Sequence, residues 1–330
     1  MKILVVKISS IGDITETMPA LHLLKTKYPK AQIDWIVGER ASPILNYNPL
    51  LHEIFVVSRR FSILRNLRTI IKIRKTKYDL LFDFQGCKRS AMVSILAKAE
   101  KKYGRAFRFG PKMLQRLFYT STTLYDFNKH DIDDMIQLLA TINIHSKVRN
   151  LSLPYKKVEV TNVLKKIKKN PTTFLVGIHI GAGRRHKMWP ADKFNHLFSL
   201  LGEYQFLIFC GPNEFHVLDK IKPRKNAHIL KSITLEDIPS YINQCDLFVS
   251  PDSSLMHIAE SLGKPVVCLM GPTSPKRWGP YRKESVAICK GVFAKGNPLL
   301  SFDIGTIHES MEQISASEVA TAIRKLACRK

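Results

Sequence analysis

The chain is short of acid. Its 330 residues carry 27 aspartates and glutamates against 52 lysines and arginines, a formal net charge of +25. An excess of that size draws polyanions: nucleic acid, an anionic membrane or phosphorylated substrates. Cysteine is also sparse. Cys87, Cys210, Cys245, Cys268, Cys289 and Cys328 form no CxxC pair, and several lie in apolar strand-like runs. That argues against a structural zinc site and for free thiols in a reducing compartment. No run approaches the roughly 18 apolar residues of a membrane span. The opening Met1–Lys7, charged at Lys2 and Lys7, lacks the apolar core and cleavage site of a signal peptide and reads as a first strand. The expectation is a cytoplasmic chain whose membrane contact, if any, is peripheral.

What is present is alternation. Residues 2–8 read as a buried strand, and Ser9-Ser10-Ile11-Gly12-Asp13 then leads into a helix carrying Leu21, Leu23 and Leu24. Strands follow at 33–37, 54–57 and 80–84 with helical stretches between them, the pattern of a parallel doubly wound sheet. Around 150–169 the pattern dissolves into a linker and its first helix. A second series has strands at 174–180, 205–210, 228–230, 245–249, 265–270 and 285–288. Phe194, Leu197, Phe198 and Leu201 recur at helical spacing, and Ser315 with Glu318 forms a capping box ahead of Val319, Ile323 and Leu326. Two α/β domains are expected, 1–155 and 156–330, with the last helix (about 315–328) packing back on the first. With 45% hydrophobic residues the chain has material for both cores. Ligands of such sheets bind at the carboxyl ends of the strands.

The most informative stretch is 250–280. Pro251 and Asp252 turn the chain after a strand, and Ser253 and Ser254 can cap a helix with apolar Leu255, Ile258, Ala259 and Leu262. Gly263 closes that helix, 265–270 reads as a buried strand, and Gly271-Pro272-Thr273 breaks it. A helix start with small hydroxyls and a nearby His257, just past a parallel strand, is a place for a phosphate. His179-Ile180-Gly181-Ala182-Gly183, running on to Lys187, Trp189 and Pro190, also follows a strand and precedes a helix, and its glycines admit a pyrophosphate. The third glycine of a dinucleotide fingerprint is missing and no acid ends the next strand, so a nicotinamide cofactor is disfavoured. Asp13, where the first strand becomes a helix, suits a proton acceptor or a carboxylate that steadies a helix N-terminus.

In this order the motifs resemble the lipopolysaccharide heptosyltransferases of glycosyltransferase family 9. The resemblance rests on Asp252-Ser253-Ser254-Leu255-Met256-His257, Gly263-Lys264-Pro265, Gly271-Pro272-Thr273, Arg277-Trp278-Gly279-Pro280, Ser9-Ser10 with Gly12-Asp13, Asp83 with Gln85-Gly86 and Arg89-Ser90, and Gly211 with Glu214. Ser253-Ser254 stands where the family usually has Thr-Gly. The resemblance implies a GT-B fold, two Rossmann-like domains facing each other across a cleft. It implies inverting transfer of heptose from ADP-heptose to an anionic lipopolysaccharide core, a lipid-linked saccharide such as lipid A-Kdo or a heptosyl acceptor; the alternative within the family is a different nucleotide sugar or a protein acceptor. Asp13 would be the general base, and Lys187 would stabilise the departing ADP. Ser9, Ser10, Gly12, His179, Gly181, Ala182, Gly183, Trp189, Gly211, Glu214, Asp252, Ser253, Ser254, His257, Gly271, Pro272 and Thr273 would line the donor site with Lys187. Glu214 fits a ribose diol, and fits a solvated helix start equally well. Arg59, Arg60, Gln85, Gly86, Lys88, Arg89, Arg105 and Arg108 would meet the acceptor. No cofactor and no metal are implied; Asp131-Ile132-Asp133 mimics a metal-binding Asp-x-Asp but reads as a solvated helix start. Of the family's cysteine-rich segment only Cys289 remains ahead of Glu309-Ser310-Met311, so no disulfide or metal cluster is expected there.

Residues 59–77 hold eight cations and no acid. Ile63, Leu67, Ile70 and Ile71 would form an apolar stripe, with Arg65, Arg68, Lys72 and Lys75 on another face. Such a helix suits an anionic inner-membrane surface or is simply a solvated face. Lys101, Lys102, Arg105, Arg108 and Lys112 would extend the patch. A nucleic-acid-binding protein, the rival from another class, would need aromatic platforms or a recognition motif, and neither is present. A nucleotide-sugar epimerase of similar fold stays open.

Overall fold

The structure is a computed structural model that describes residues 1–58, 66–105, 118–167, 172–211, 214–230, 233–291 and 309–329. The chain divides into two compact units, Met1–Tyr155 and Lys156–Lys330.

The first unit is built on strands β1 (Lys2–Val6), β2 (Gln32–Gly38), β3 (Glu53–Val57), β4 (Lys77–Asp83), β5 (Lys98–Arg105) and β6 (Ser121–Thr123). They form one parallel sheet in the order β3-β2-β1-β4-β5-β6. Its helices are α1 (Ile11–Glu16), α2 (Met18–Lys27), α3 (Leu67–Lys75), α4 (Lys88–Leu96) and α5 (Asp131–Ala140). A parallel strand covered on both faces needs a near-continuous apolar run. In β1 all but Lys2 are buried, in keeping with its apolar run Ile3–Val6. Leu4, Val6, Ile36, Phe55, Tyr78, Leu81 and Val93 meet in the core.

The second unit repeats the plan. Its strands are β7 (Leu175–His179), β8 (Gln205–Phe209), β9 (Ala227–Leu230), β10 (Leu247–Pro251), β11 (Val266–Met270) and β12 (Val286–Cys289). Its helices are α6 (Thr161–Ile167), α7 (Ala191–Leu200), α8 (Phe215–Leu218), α9 (Ile238–Gln244), α10 (Ser254–Ser261), α11 (Pro275–Trp278) and α12 (Ala316–Ala327). The order β12-β11-β10-β7-β8-β9 is that of the first sheet read from the other end. Each sheet therefore has one point where the order reverses, between β1 and β4 and between β7 and β10. Loops leaving the carboxyl ends there diverge and open a crevice, the usual ligand position in this architecture.

The last helix places Val319, Ile323 and Leu326 in the second unit's own core with Phe194, Leu197 and Phe198. Residues 98–105 and 121–123, unassigned from sequence, are strands β5 and β6. In α3 the buried residues are Ile70 and Ile73, while Leu67 and Ile71 are 45% and 43% exposed. Lys102, expected on an open basic patch, caps α4 instead: its ammonium donates to the carbonyls of Ser94 at 2.7 Å and Ala97 at 2.8 Å, which a helix C-terminus leaves without intrahelical partners. Ile63 and Arg65 fall outside the described residues.

Candidate active site

At the reversal point of the first sheet, two loops are tied together. Asp13 is the third residue of α1, where a carboxylate can reach back to the helix's first amides. One of its oxygens accepts from the Ser10 amide and, at 2.8 Å, from the Ser10 hydroxyl. The other lies 4.0 Å from the Lys7 ammonium. Lys7 is almost fully buried, whereas the Asp13 side chain keeps 32% of its surface exposed. The capping role and an open, cation-flanked carboxylate are thus properties of the same residue.

The loop after β4 holds the loop after β1. The Gln85 carboxamide oxygen accepts from the backbone amides of Ile8 and Ser9, both at 2.9 Å. Gln85 is itself anchored, since its amide and that of Gly86 donate to one oxygen of Asp83 at 2.9 and 3.1 Å. The other Asp83 oxygen accepts from the Tyr119 hydroxyl at 2.7 Å. Burial pushes the Asp83 carboxyl up, against the pull of these hydrogen bonds. Gly86 sits at φ +58°, and a Cβ there would come within 2.6 Å of the Tyr125 hydroxyl, so both conformation and space demand glycine. Beneath it Arg105 stacks 4.0 Å from the Tyr125 ring and pairs with Asp131 at 3.0 Å and with Asp134.

At the reversal point of the second sheet, His179 ends β7 with Nδ1 2.9 Å from the Ser253 hydroxyl and Nε2 3.3 Å from Glu214. Glu214 also accepts from the Gly211 amide at 2.6 Å. Burial would raise its carboxyl, but the His179 bond and charge and the Gly211 amide outweigh burial and hold it below the ordinary carboxylate range. A Cβ on Gly181 would stand 1.8 Å from the Glu214 carboxyl carbon, so the backbone approaches that acid as only glycine allows. Beside this group, Asp252 Oδ2 accepts from Lys187 at 2.6 Å and from the Thr273 hydroxyl at 2.7 Å. Ser253 occupies the cap position of α10, bonded to Ser250 at 2.8 Å. A cation, two hydroxyls, an imidazole and the start of an eight-residue helix converge here, a set suited to a diphosphate.

The family model described as glycosyltransferase family 9 (heptosyltransferase) matches residues 66–297. The chain belongs to glycosyltransferase family 9. Among its relatives is the lipopolysaccharide heptosyltransferase 1 of Escherichia coli O18:K1:H7, 24% identical over 95% of this chain and 98% of that protein. Among solved structures, a family 9 glycosyltransferase from Veillonella parvula superposes with a TM-score of 0.82, at 22% identity, over 100% of this chain and 97% of its own. Escherichia coli heptosyltransferase WaaC with ADP gives 0.76 at 22% identity, over 99% and 100%. The fold is GT-B, with two Rossmann-like domains.

In this glycosyltransferase the residues expected at the donor site fall in both units. Ser9, Ser10, Gly12 and Asp13 gather in the first; His179, Gly181, Ala182, Gly183, Lys187, Gly211, Glu214, Asp252, Ser253, Ser254 and Thr273 lie on the loops and helix starts that follow β7, β8, β10 and β11. His257 is buried within α10, and Gly271 and Pro272 are buried where β11 ends. Trp189 is a correction. It is 1% exposed, its indole donates to the Ile314 carbonyl at 3.0 Å, and it meets Phe194 edge-on, so it holds α7 in the core and presents nothing to a donor. Arg105 is a second: expected at the acceptor, it is a buried ion-pair partner. Asp131 is a third, being buried against that arginine and not solvated. Gln85 directs its oxygen to the first loop. Lys88 is exposed in the first turn of α4, and Arg89 reaches to 3.5 Å from the Ser9 hydroxyl. Arg59, Arg60 and Arg108 lie outside the described residues.

Three contributors escaped the sequence reading. Lys7 looked like the end of a strand, though a lysine closing an otherwise apolar run was a signal of a buried charge with a partner. Tyr119 and Tyr125 gave no local signal, because each acts on a residue about 40 positions away. Oxygens of Asp13, Glu16 and Asp131 lie within 4.8 Å of one another and are the described group able to hold a cation, although Asp131 is already paired with Arg105.

Proposed function

We propose that this glycosyltransferase moves heptose from ADP-heptose to an anionic, lipid-linked lipopolysaccharide core, with inversion at the anomeric carbon. The observation that carries the mechanism is Asp13: one carboxylate, one-third exposed, at the sheet's reversal point beside a buried lysine. An acceptor hydroxyl is a weak nucleophile until its proton leaves. Asp13 takes that proton as the oxygen attacks the anomeric carbon, and the bond to the diphosphate breaks on the opposite side. Negative charge then grows on ADP. Lys187, which pairs with Asp252 at 2.6 Å, is the cation assigned to meet it, together with the amides that open α10. Glu214, seated against Gly181, is the acceptor assigned to the ribose hydroxyls.

Names of relatives support the donor and acceptor. Heptosyltransferases 1 and 3 of lipopolysaccharide are among them, and a solved WaaC structure holds ADP-2-deoxy-2-fluoro heptose. The test is mass spectrometry of the lipopolysaccharide core from a strain lacking this protein. A core truncated at a heptose, restored by the wild-type chain and not by Asp13→Ala, is expected; an intact core overturns the proposal.

A further inference from the structure

We propose that the outward faces of α3 and α4 are the surface on which the protein docks to an anionic lipid bilayer. The two helices pack side by side over the first sheet. Their inward faces are ordinary core, with Ile70 and Ile73 on α3 and Ala91 and Val93 on α4 buried. Their outward faces are not ordinary surface. Leu67 and Ile71, one turn apart on α3, are 45% and 43% exposed, and Met92 and Ile95 on α4 are 39% and 43% exposed.

Single exposed aliphatic residues need no explanation. Here they recur at i, i+4 on one helix and i, i+3 on its neighbour, so each helix presents a short apolar ridge. Exposed cations accompany both ridges: Arg68, Arg74 and Lys75 on α3, Lys88 on α4, and Lys98 on the adjoining strand β5. The exposed acids among the described residues 66–105 are Asp79 and Glu100; Asp79 accepts from the Lys2 amide at 2.6 Å, and Glu53 of β3 pairs with Lys72 of α3 at 3.2 Å.

Aliphatic side chains ringed by lysine and arginine match the two layers of a membrane interface. The apolar tips enter the acyl boundary while the cations, on flexible stems, stay with the phosphates. A nucleic-acid surface would satisfy the cations but offers no layer for four aliphatic chains. No helix among the described residues is long and apolar enough to cross a membrane, so contact through such a face is the mode these elements offer. The inference draws on the proposed lipid-linked acceptor only for its purpose. Its test reads binding and not sugar transfer, so the two stand or fall separately.

The experiment is co-sedimentation of the full chain with phosphatidylglycerol-containing vesicles and with neutral phosphatidylcholine vesicles. Wild type should bind the first and not the second. Ile71→Gln with Ile95→Gln leaves net charge untouched and should weaken binding about tenfold, because apolar insertion is lost. Arg68→Gln with Lys75→Gln should weaken it roughly fivefold per charge removed. Val148→Gln, at a residue 75% exposed and away from both helices, should change nothing. Leu67→Gln with Met92→Gln is an independent second pair should the first fail to fold. Wild-type binding that ignores lipid charge, or retained binding in a folded apolar pair, overturns the proposal. So does a dimer that buries this face and leaves no vesicle binding.

Discussion

Replacing Gln85 by leucine removes the acceptor shared by the Ile8 and Ser9 amides, a tie between the loop after β1 and the loop after β4. The side chains have similar size, so packing changes little and the loss is two hydrogen bonds of 2.9 Å. The Ile8 amide is buried with a residue 1% exposed, and leaving it unpaired costs about 1–3 kcal/mol. The partly exposed Ser9 amide can turn to water and costs less. Stability should therefore fall by about 2 kcal/mol, read from denaturant midpoints at unchanged slope. Asp13 lies four residues beyond Ser9 and is bonded back to Ser10, so a slackened loop misplaces the base. A displacement near 1 Å costs on the order of 10²-fold in turnover. Steady-state kinetics should show kcat lowered by about 10–100-fold with donor affinity by calorimetry unchanged. Gln85→Glu, which keeps an acceptor oxygen, should recover most of the loss. An acceptor KM effect alone, at full kcat and normal stability, would refute the positioning role and return Gln85 to acceptor contact.

The remaining predictions concern the second unit and the acidic trio. Gly181→Ala puts a methyl where the Glu214 carboxyl stands, so that acid must leave His179 and the Gly211 amide; a loss of about 1–3 kcal/mol is expected, and unchanged stability would contradict the close approach. Because the folded chain holds Glu214 below its ordinary value of 4.5, the stabilisation it contributes is present above that value and disappears as pH falls through the folded one. Melting curves from neutral to acid pH should thus bring wild type and Glu214→Gln together at the acid end, and a constant gap would refute the assignment. Transfer activity should persist in EDTA; a loss restored by magnesium would give the Asp13, Glu16 and Asp131 oxygens an ion to hold.

Most strands were legible because a parallel strand covered on both faces needs a near-continuous apolar run, as in β11 throughout and in β1 and β7 apart from Lys2 and His179 at their ends. The loops at the two reversal points were legible for a related reason: a strand end followed by small residues and a helix start is a local pattern. β5 was not legible. It reads Lys-Ala-Glu-Lys-Lys-Tyr-Gly-Arg, near the sheet edge, where alternate charged residues face water and only its last three positions are buried. Arg105 was misread with it, since nothing local distinguishes a solvated arginine from one paired across 26 residues with Asp131. Trp189 beside Lys187 took on the motif's function although its ring belongs to the core. The tie from Gln85 to Ile8 and Ser9 spans about 77 positions and has no signature in either segment.

The most direct test of the account is transfer itself, with purified protein, ADP-heptose and a heptose-deficient lipopolysaccharide core. Mass spectrometry should show the core gaining one heptosyl unit as ADP appears, with Asp13→Ala slowing the step by roughly 10²–10⁴-fold while ADP still binds. No heptosyl gain by the wild-type chain on that acceptor, or full turnover by the Asp13 variant, would contradict it.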